Sequence, residues 1–382
     1  MTESSKRAWA TIDLRALKKN LSRVSVYCPE SKIIPVIKAN AYGHGLEQVA
    51  TTLVESHTNI AALAVATIDE ALQLTALKLN TPVLLLPGFS NRQEMALCFK
   101  HAIEPVLHCT QQLELLNDYQ PTEAGTGVGR IWLKLNSGMN RLGLSPEQAV
   151  VAYSALHKLP ETEVVLMSHL ACSDEPQEQL SVDFTRQQQA QFEAVRETLS
   201  RIRTEPLGAS LVASAGIVNL PASHYQFVRP GIMLYGGSPL LNQSSEEIGL
   251  LPVMTLSARL IVINEVKAGA SIGYGATYQC EHDTRVGVVA IGYGDGYPRS
   301  AVNGTPVLIK TVSGERRTTL IGRVSMDMIT VDLTGMDDVQ PGDEVVLWGK
   351  GLSADEVAKS AGTISYELFC RLTNRVVFEY IR

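Results

Sequence analysis

Ile33-Ile34-Pro35-Val36-Ile37-Lys38-Ala39-Asn40-Ala41-Tyr42-Gly43-His44-Gly45 is the stretch whose reading decides the fold. Residues 33–37 form an apolar run of the kind that fills a strand buried on both faces. The run stops on a lysine. A polar, glycine-containing bend follows, and residues 46–53 then show helical spacing. A buried strand, a polar loop and a helix make one unit of a parallel sheet. The lysine carries chemical information of its own. Removing an ammonium group from water at a strand end is costly unless the group has a partner or a task. An amine held there loses its proton more easily, and a neutral amine can form a Schiff base. The alternative is a lysine that snorkels to the rim of a strand.

Outward from this unit the same rhythm repeats. Strands are expected at 33–37, 61–66, 82–86, 104–107, 130–135, 164–168, 207–213 and 227–234. Helices are expected between them. Thr67-Ile68-Asp69-Glu70 reads as a capping box opening one of them. Ser145-Pro146-Glu147 puts proline at the first position of another, which reaches His157. A long polar helix is expected from Ser181 to Arg203. Eight strands alternating with helices predict a (β/α)8 barrel, with a doubly wound sheet as the alternative, because rhythm does not show closure. Upstream, Trp9-Ala10-Thr11-Ile12-Asp13-Leu14 alternates like a strand, and Asp13 can cap the helix after it.

The texture changes after Gly236-Gly237-Ser238-Pro239. Short β segments are expected at 255–266, 285–291, 306–310, 317–321, 328–333 and 344–347. Turn signals at Asn303-Gly304, Ser313-Gly314 and Pro341-Gly342 separate them. The expected fold class is therefore α/β plus all-β: a barrel over residues 10–243, and a β-rich domain of residues 244–382 to which residues 1–14 add a strand.

Composition limits the partners. The 382-residue chain is 45% hydrophobic and 19% charged, an ordinary globular composition. Its net charge of −6 comes without a long basic run, so neither nucleic acid nor an anionic membrane is an expected partner. The polar first ten residues lack the apolar core of a secretory leader. No apolar run reaches membrane-spanning length. Six scattered cysteines without a C-x-x-C pair read as reduced thiols in a cytoplasmic protein, with no metal site.

A barrel places its chemistry in the loops after its strands. Lys38, Lys134, Asn136, Arg141, His169, Ser214 and Arg229 all fall at such ends and should share one mouth. Ser214-Ala215-Gly216 opens a short helix, and Gly231-Ile232 offers backbone amides nearby. Together they resemble the phosphate cup that barrels build from a helix N-terminus after the seventh and eighth strands. Ser214 acting as a plain N-cap is the other reading. A Schiff-base lysine beside a phosphate cup suits pyridoxal phosphate.

Lys38-Ala39-Asn40-Ala41-Tyr42-Gly43-His44-Gly45 resembles the pyridoxal-phosphate lysine motif of alanine racemases, pyridoxal-phosphate enzymes of fold type III, and the likeness continues along almost the whole chain. The resemblance implies interconversion of L- and D-alanine by two bases, serving peptidoglycan supply or alanine breakdown. Lys38 would serve one face. Tyr274, in Ile272-Gly273-Tyr274-Gly275-Ala276-Thr277-Tyr278, would serve the other from a second subunit, which implies a homodimer with composite sites. Arg229, in Val228-Arg229-Pro230-Gly231-Ile232, stands where the family sets an arginine against the pyridine nitrogen. Arg141 would orient the cofactor and the substrate carboxylate, with Lys134, carbamylated in some members, holding it. Tyr42 and Tyr366 match the phosphate-side tyrosines, alongside Ser214, Gly231 and Ile232. His169 would bond to Arg229. Tyr293, Met326 and Asp327 lie in motifs that reach the partner's site, where Met326 would touch substrate. Asn136, Ala213 and Ser325 depart from the residues common in the family (Asp, Asn and Cys). Three alternatives are a serine or broad-specificity racemase, a barrel-type pyridoxal-phosphate decarboxylase and a non-catalytic cofactor-binding barrel. Arg229 argues against the decarboxylase, and the second domain argues against the non-catalytic barrel.

Overall fold

A computed structural model describes residues 6–56, 59–117, 129–156, 162–202 and 207–382. The helix ends expected at His157 and Arg203 lie outside these residues, as do the first five positions of the amino-terminal segment.

The first strand, β1 (Ala8–Asp13), leads directly into the helix Leu14–Tyr27. Asp13 caps that helix, its side chain accepting from the amides of Arg15 and Ala16. Then come the strands β2 (Lys32–Ile33), β3 (Leu63–Val65), β4 (Val83–Leu85), β5 (Ile103–Leu107), β6 (Arg130–Lys134), β7 (Glu163–Met167), β8 (Gly208–Ser210) and β9 (Phe227–Val228). Strands β3 to β8 form one parallel sheet in sequence order. Strand β2 pairs in parallel with β9. Isolated parallel bridges join this pair to both sheet edges: Ile33 to Ile60 and Val36 to Ala64 on one side, Ala213 to Arg229 on the other. The eight strands thereby close, and the edges that an open sheet would expose are gone.

Closure follows from composition. Residues 33–37 are all buried, as are the apolar centres of β3 to β7. A polar cluster lies near the amino-terminal ends of β5 and β6. Buried Glu104 accepts from Arg130 Nε at 2.9 Å and from Trp132 Nε1 at 2.8 Å, and the Trp132 ring meets Phe227 edge-on at 5.1 Å. A buried carboxylate needs such partners.

The final barrel strand is shorter than the sequence suggests. Regular pairing stops at Val228, and Ile232–Tyr235 turns as a 3-10 helix. Pro230 has no amide to continue a ladder. Pro35 limits β2 in the same way: regular pairing ends at Ile33, and only an isolated bridge at Val36 follows.

The second domain holds β10 (Met254–Val266), β11 (Ser271–Ile272), β12 (Tyr278–Gln279), β13 (Thr284–Val289), β14 (Pro306–Thr311), β15 (Gly314–Thr319), β16 (Ile329–Asp332), β17 (Glu344–Trp348) and β18 (Val377–Ile381). Its main sheet runs β15-β14-β17-β10-β1-β18, with β13 joining β10 to β16. Strand β10 shifts register between Leu260 and Val262 as it pairs with β13. Strand β1 lies antiparallel to β10 and parallel to β18. The first and last segments of the chain thus meet in one sheet. The short helix Ser365–Cys370 packs against the turn that follows Lys38. Among the described residues no helix is long and apolar enough to cross a membrane.

Candidate active site

The segment after Lys38 is neither a loop nor a right-handed helix. Ala39, Asn40, Ala41 and Tyr42 run with φ of 52°, 52°, 54° and 51°, one left-handed turn, and Gly43 follows at 77°. Left-handed geometry costs about 1–2 kcal/mol for each residue with an ordinary side chain. Local bonds offset that cost. The amides of Ala41 and Gly43 donate to Ile37 O at 2.8 Å and Ala39 O at 2.9 Å. Asn40 Oδ1 accepts from the Leu46 amide at 2.8 Å. Glu70 reaches across from the next helix and accepts from the Ala39 amide at 2.6 Å. The expected capping box of Thr67 and Glu70 is present, so the same carboxylate caps one helix and braces the lysine turn.

Four cations converge at the carboxyl ends of the strands. Burial lowers the Lys38 amine below the usual lysine value, and the charge of Arg141 lowers it further. Burial, then Arg229, Arg141 and Lys38 in turn, bring Lys134 down to about 8. Arg229 is buried and falls to about 10 through desolvation. It donates to Ser168 O at 2.5 Å, to Leu211 O at 3.1 Å and to Ser210 Oγ. Burial, followed by the charges of Arg229, Lys134, Arg141 and Lys38, brings His169 to about 3, so its imidazole is neutral. A small pocket between β6 and β7 is lined by Lys134, Arg141, Ser168 and His169, among others.

Beside this charge lies the cup. The Ser214 side chain does not cap its own helix, which begins after Ala213. Ser214 Oγ instead accepts from the Gly231 amide at 2.8 Å. That amide is therefore engaged by a side chain of the protein itself. Tyr42 is buried, stacked on Tyr235 at 4.8 Å and tilted against Tyr366 at 5.9 Å. A methyl group added at Gly231 would stand 2.7 Å from the Tyr42 hydroxyl, so the glycine leaves room for that oxygen. Ile232 is fully buried beneath the cup. Burial raises the phenols of Tyr42 and Tyr366 well above the ordinary tyrosine value.

One local expectation changes. Arg229 is held by Ser168, Ser210 and Leu211, and no hydrogen bond links it to His169 among the described residues; His169 senses it through charge alone. Asn136 bonds within its own loop. Its Oδ1 accepts from the amides of Gly138 and Asn140, and its Nδ2 donates to Asn140 Oδ1, closing the loop that carries the arginine.

The residues expected from the second domain stand apart. Tyr274 sits in a 3-10 turn between two glycines and is 70% exposed; Tyr293 and Met326 are 41% and 52% exposed. With Asp327, they make no hydrogen bond, ion pair or ring contact to the mouth among the described residues. The loops bearing Tyr293 and Met326 are joined by backbone bonds, Tyr293 N to Ser325 O and Gly294 N to Met326 O. Buried Asp295, which the sequence reading passed over, ties them down. It accepts two bonds from Arg7 at 2.8 and 2.9 Å and lies 3.3 Å from Arg375, which also pairs with Asp327 at 2.6 Å.

The mouth fits a phosphorylated aldehyde. Three cations, Lys134, Arg141 and Arg229, around a depressed lysine suit an anionic ligand. The hydroxyls of Ser214 and Tyr42 meet around Gly231, with the Tyr366 ring beside Tyr42.

Comparison with known proteins gives matches over most of the chain. The family model for the alanine racemase N-terminal domain matches residues 12–239, and that for the C-terminal domain matches residues 253–380. An alanine racemase of Vibrio atlanticus is 44% identical over 99% of this chain and 100% of its own length. One from Vibrio cholerae is 45% identical over 98% of each. Among solved structures, the biosynthetic alanine racemase of Pseudomonas aeruginosa superposes with a TM-score of 0.89 at 40% identity, covering 99% of this chain and all of that one.

Proposed function

This chain belongs to the alanine racemase family and racemises alanine, and from that premise we propose that it does so on pyridoxal 5′-phosphate, with Lys38 and Tyr274 as opposed bases in a homodimer. The reading takes residues 10–243 as the cofactor-binding barrel, residues 1–14 and 244–382 as the β-rich domain, and the cytoplasm as its location. The observation that carries it is the electrostatic convergence on one mouth: Lys38, Lys134 and His169 each feel the charge of Arg141.

When bound, pyridoxal phosphate withdraws electrons from the substrate's α-carbon and makes its proton removable. Lys38 would hold the cofactor's aldehyde carbon. Ser214, Tyr42, Tyr366, Gly231 and Ile232 would form the surround of its phosphate. Arg229 would face the ring nitrogen. A guanidinium has no proton acceptor and keeps its own protons, so it leaves that nitrogen unprotonated. Arg141 would hold the substrate carboxylate, and a carbamate on Lys134, in place of its cationic amine, would steady that arginine.

Racemisation needs a proton taken on one face and returned on the other. Lys38 Nζ, already shifted toward the neutral amine, serves one face. Tyr274 serves the opposite face, supplied by the partner with Tyr293, Met326 and Asp327. Their exposure in a single chain supports this: large apolar and aromatic side chains grouped at a surface mark an interaction site.

A chiral assay of L-alanine against L-serine with added cofactor tests the reading. The expected result is D-alanine formation, little turnover of serine, and loss of both activity and the visible cofactor band in Lys38→Ala. Release of carbon dioxide from any amino acid would overturn it in favour of a decarboxylase.

A further inference from the structure

His44 is the buried titratable group closest to the lysine turn that the reaction does not use. An isolated turn leaves carbonyls at its end without helical partners. Here those of Ala41 and Tyr42 are met by His44. Its amide donates to Ala41 O at 3.0 Å, and its Nδ1 lies 2.8 Å from Tyr42 O and 3.2 Å from Ala41 O. Both oxygens are acceptors only, so Nδ1 carries the proton. Nε2 is then a bare lone pair. Among the described residues it is buried without a hydrogen-bond partner, in a ring set 4.6 Å from Tyr235 and 5.1 Å from Phe369. An apolar ring would fill that slot without stranding a nitrogen, and a stranded polar atom is costly. The imidazole is retained for its other edge. Tyr235, which stacks on Tyr42, and Phe369, from the helix that carries Tyr366, both pack on the same ring.

We infer that His44 is a positioning residue for cofactor binding: its Nδ1–H clamps the carbonyls of Ala41 and Tyr42 and so fixes the left-handed turn that sets the Tyr42 hydroxyl in the phosphate cup. The inference rests on the reading of the mouth as a pyridoxal-phosphate site. Burial brings His44 down to about 4, so the clamp stays in its neutral, donating form through the ordinary pH range.

Asparagine places an amide nitrogen near the position of Nδ1, glutamine nearer that of Nε2, and leucine offers neither. Cofactor-free wild type, His44→Asn, His44→Gln and His44→Leu are titrated with pyridoxal 5′-phosphate, and separately with pyridoxal, by the visible band; the melting temperature of each is recorded. His44→Asn should stay within about threefold of wild type, whereas His44→Gln and His44→Leu should bind pyridoxal phosphate about tenfold more weakly or worse. Affinity for pyridoxal, which has no phosphate, should change little. If His44→Leu binds pyridoxal phosphate like wild type, or His44→Asn falls as far as His44→Leu, the clamp is overturned. Should His44→Leu fail to fold, His44→Gln supplies the same comparison. A wild type that binds neither aldehyde overturns the reading of the mouth, and the inference falls with it.

Discussion

Gly231→Ala tests the cup at its tightest point. The added carbon would stand 2.7 Å from the Tyr42 hydroxyl and 3.4 Å from Tyr42 Cζ. Comfortable separations begin near 3.5 Å, so the hydroxyl has to retreat by roughly 1 Å. Tyr42 has little freedom, pinned between Tyr235 and Tyr366. The φ of Gly231 is −121°, outside the left-handed region. The Gly231 amide survives the change and still reaches Ser214. What is lost is one hydroxyl bond to a doubly charged phosphate, and bonds to charged groups contribute about 1.5–3 kcal/mol. Affinity for pyridoxal phosphate should therefore fall about 10- to 100-fold. Titration of the cofactor-free protein by its visible band measures this. Tyr42→Phe should lose a similar amount. The double variant should bind no worse than Tyr42→Phe alone, because without the oxygen the nearest ring carbon is at ordinary contact distance. Wild-type affinity in Gly231→Ala, or fully additive losses in the double variant, would refute the placement of Tyr42 in the cup.

Three further outcomes follow from the same geometry. Tyr274→Phe should slow the L-to-D and D-to-L directions unequally in their response to pH and solvent deuterium, since it removes the base of one face only; equal, mild effects would sink the two-base assignment. Lys134 should destabilise the cofactor-free protein at neutral pH. Its folded pKa of about 8 lies below the unfolded value near 10.4, so the folded state holds that proton less well. The penalty, of order 3 kcal/mol, is full below pH 8 and disappears as pH rises from 8 to about 10.4. Lys134→Met should accordingly raise the urea midpoint at pH 7 and lose that advantage above pH 10. Asp295→Ala should cost about 1.5–3 kcal/mol in urea denaturation by removing the buried carboxylate that Arg7, Arg375 and the Gly292 amide share; unchanged stability would show that this network does not hold the two loops.

Local chemistry was enough for much of this protein. The run from Ile33 to Ile37 is apolar at every position, and a buried parallel strand follows from that alone. Asp13, and Thr67 with Glu70, mark helix starts, and each side chain accepts the expected backbone bond. The residues of the mouth were identifiable as well, because a barrel brings its strand ends together whatever the loops between them do.

Other features depend on groups far apart in the chain. Strand β1 completes the second domain by fitting between β10 and β18, more than 240 positions away, and nothing in residues 8–13 names those partners. The left-handed turn after Lys38 has alanines where right-handed geometry is the local preference. It holds because Glu70, Asn40 and His44 supply bonds and the helix Ser365–Cys370 packs against it. The Gly231 amide is taken by Ser214, a contact that exists only once the barrel has closed. Periodicity and caps are encoded over a few residues and can be read directly. Strain, hydrogen-bond partnership and the depressed charge of Lys38 arise from burial against distant side chains, so they exist only in the folded molecule.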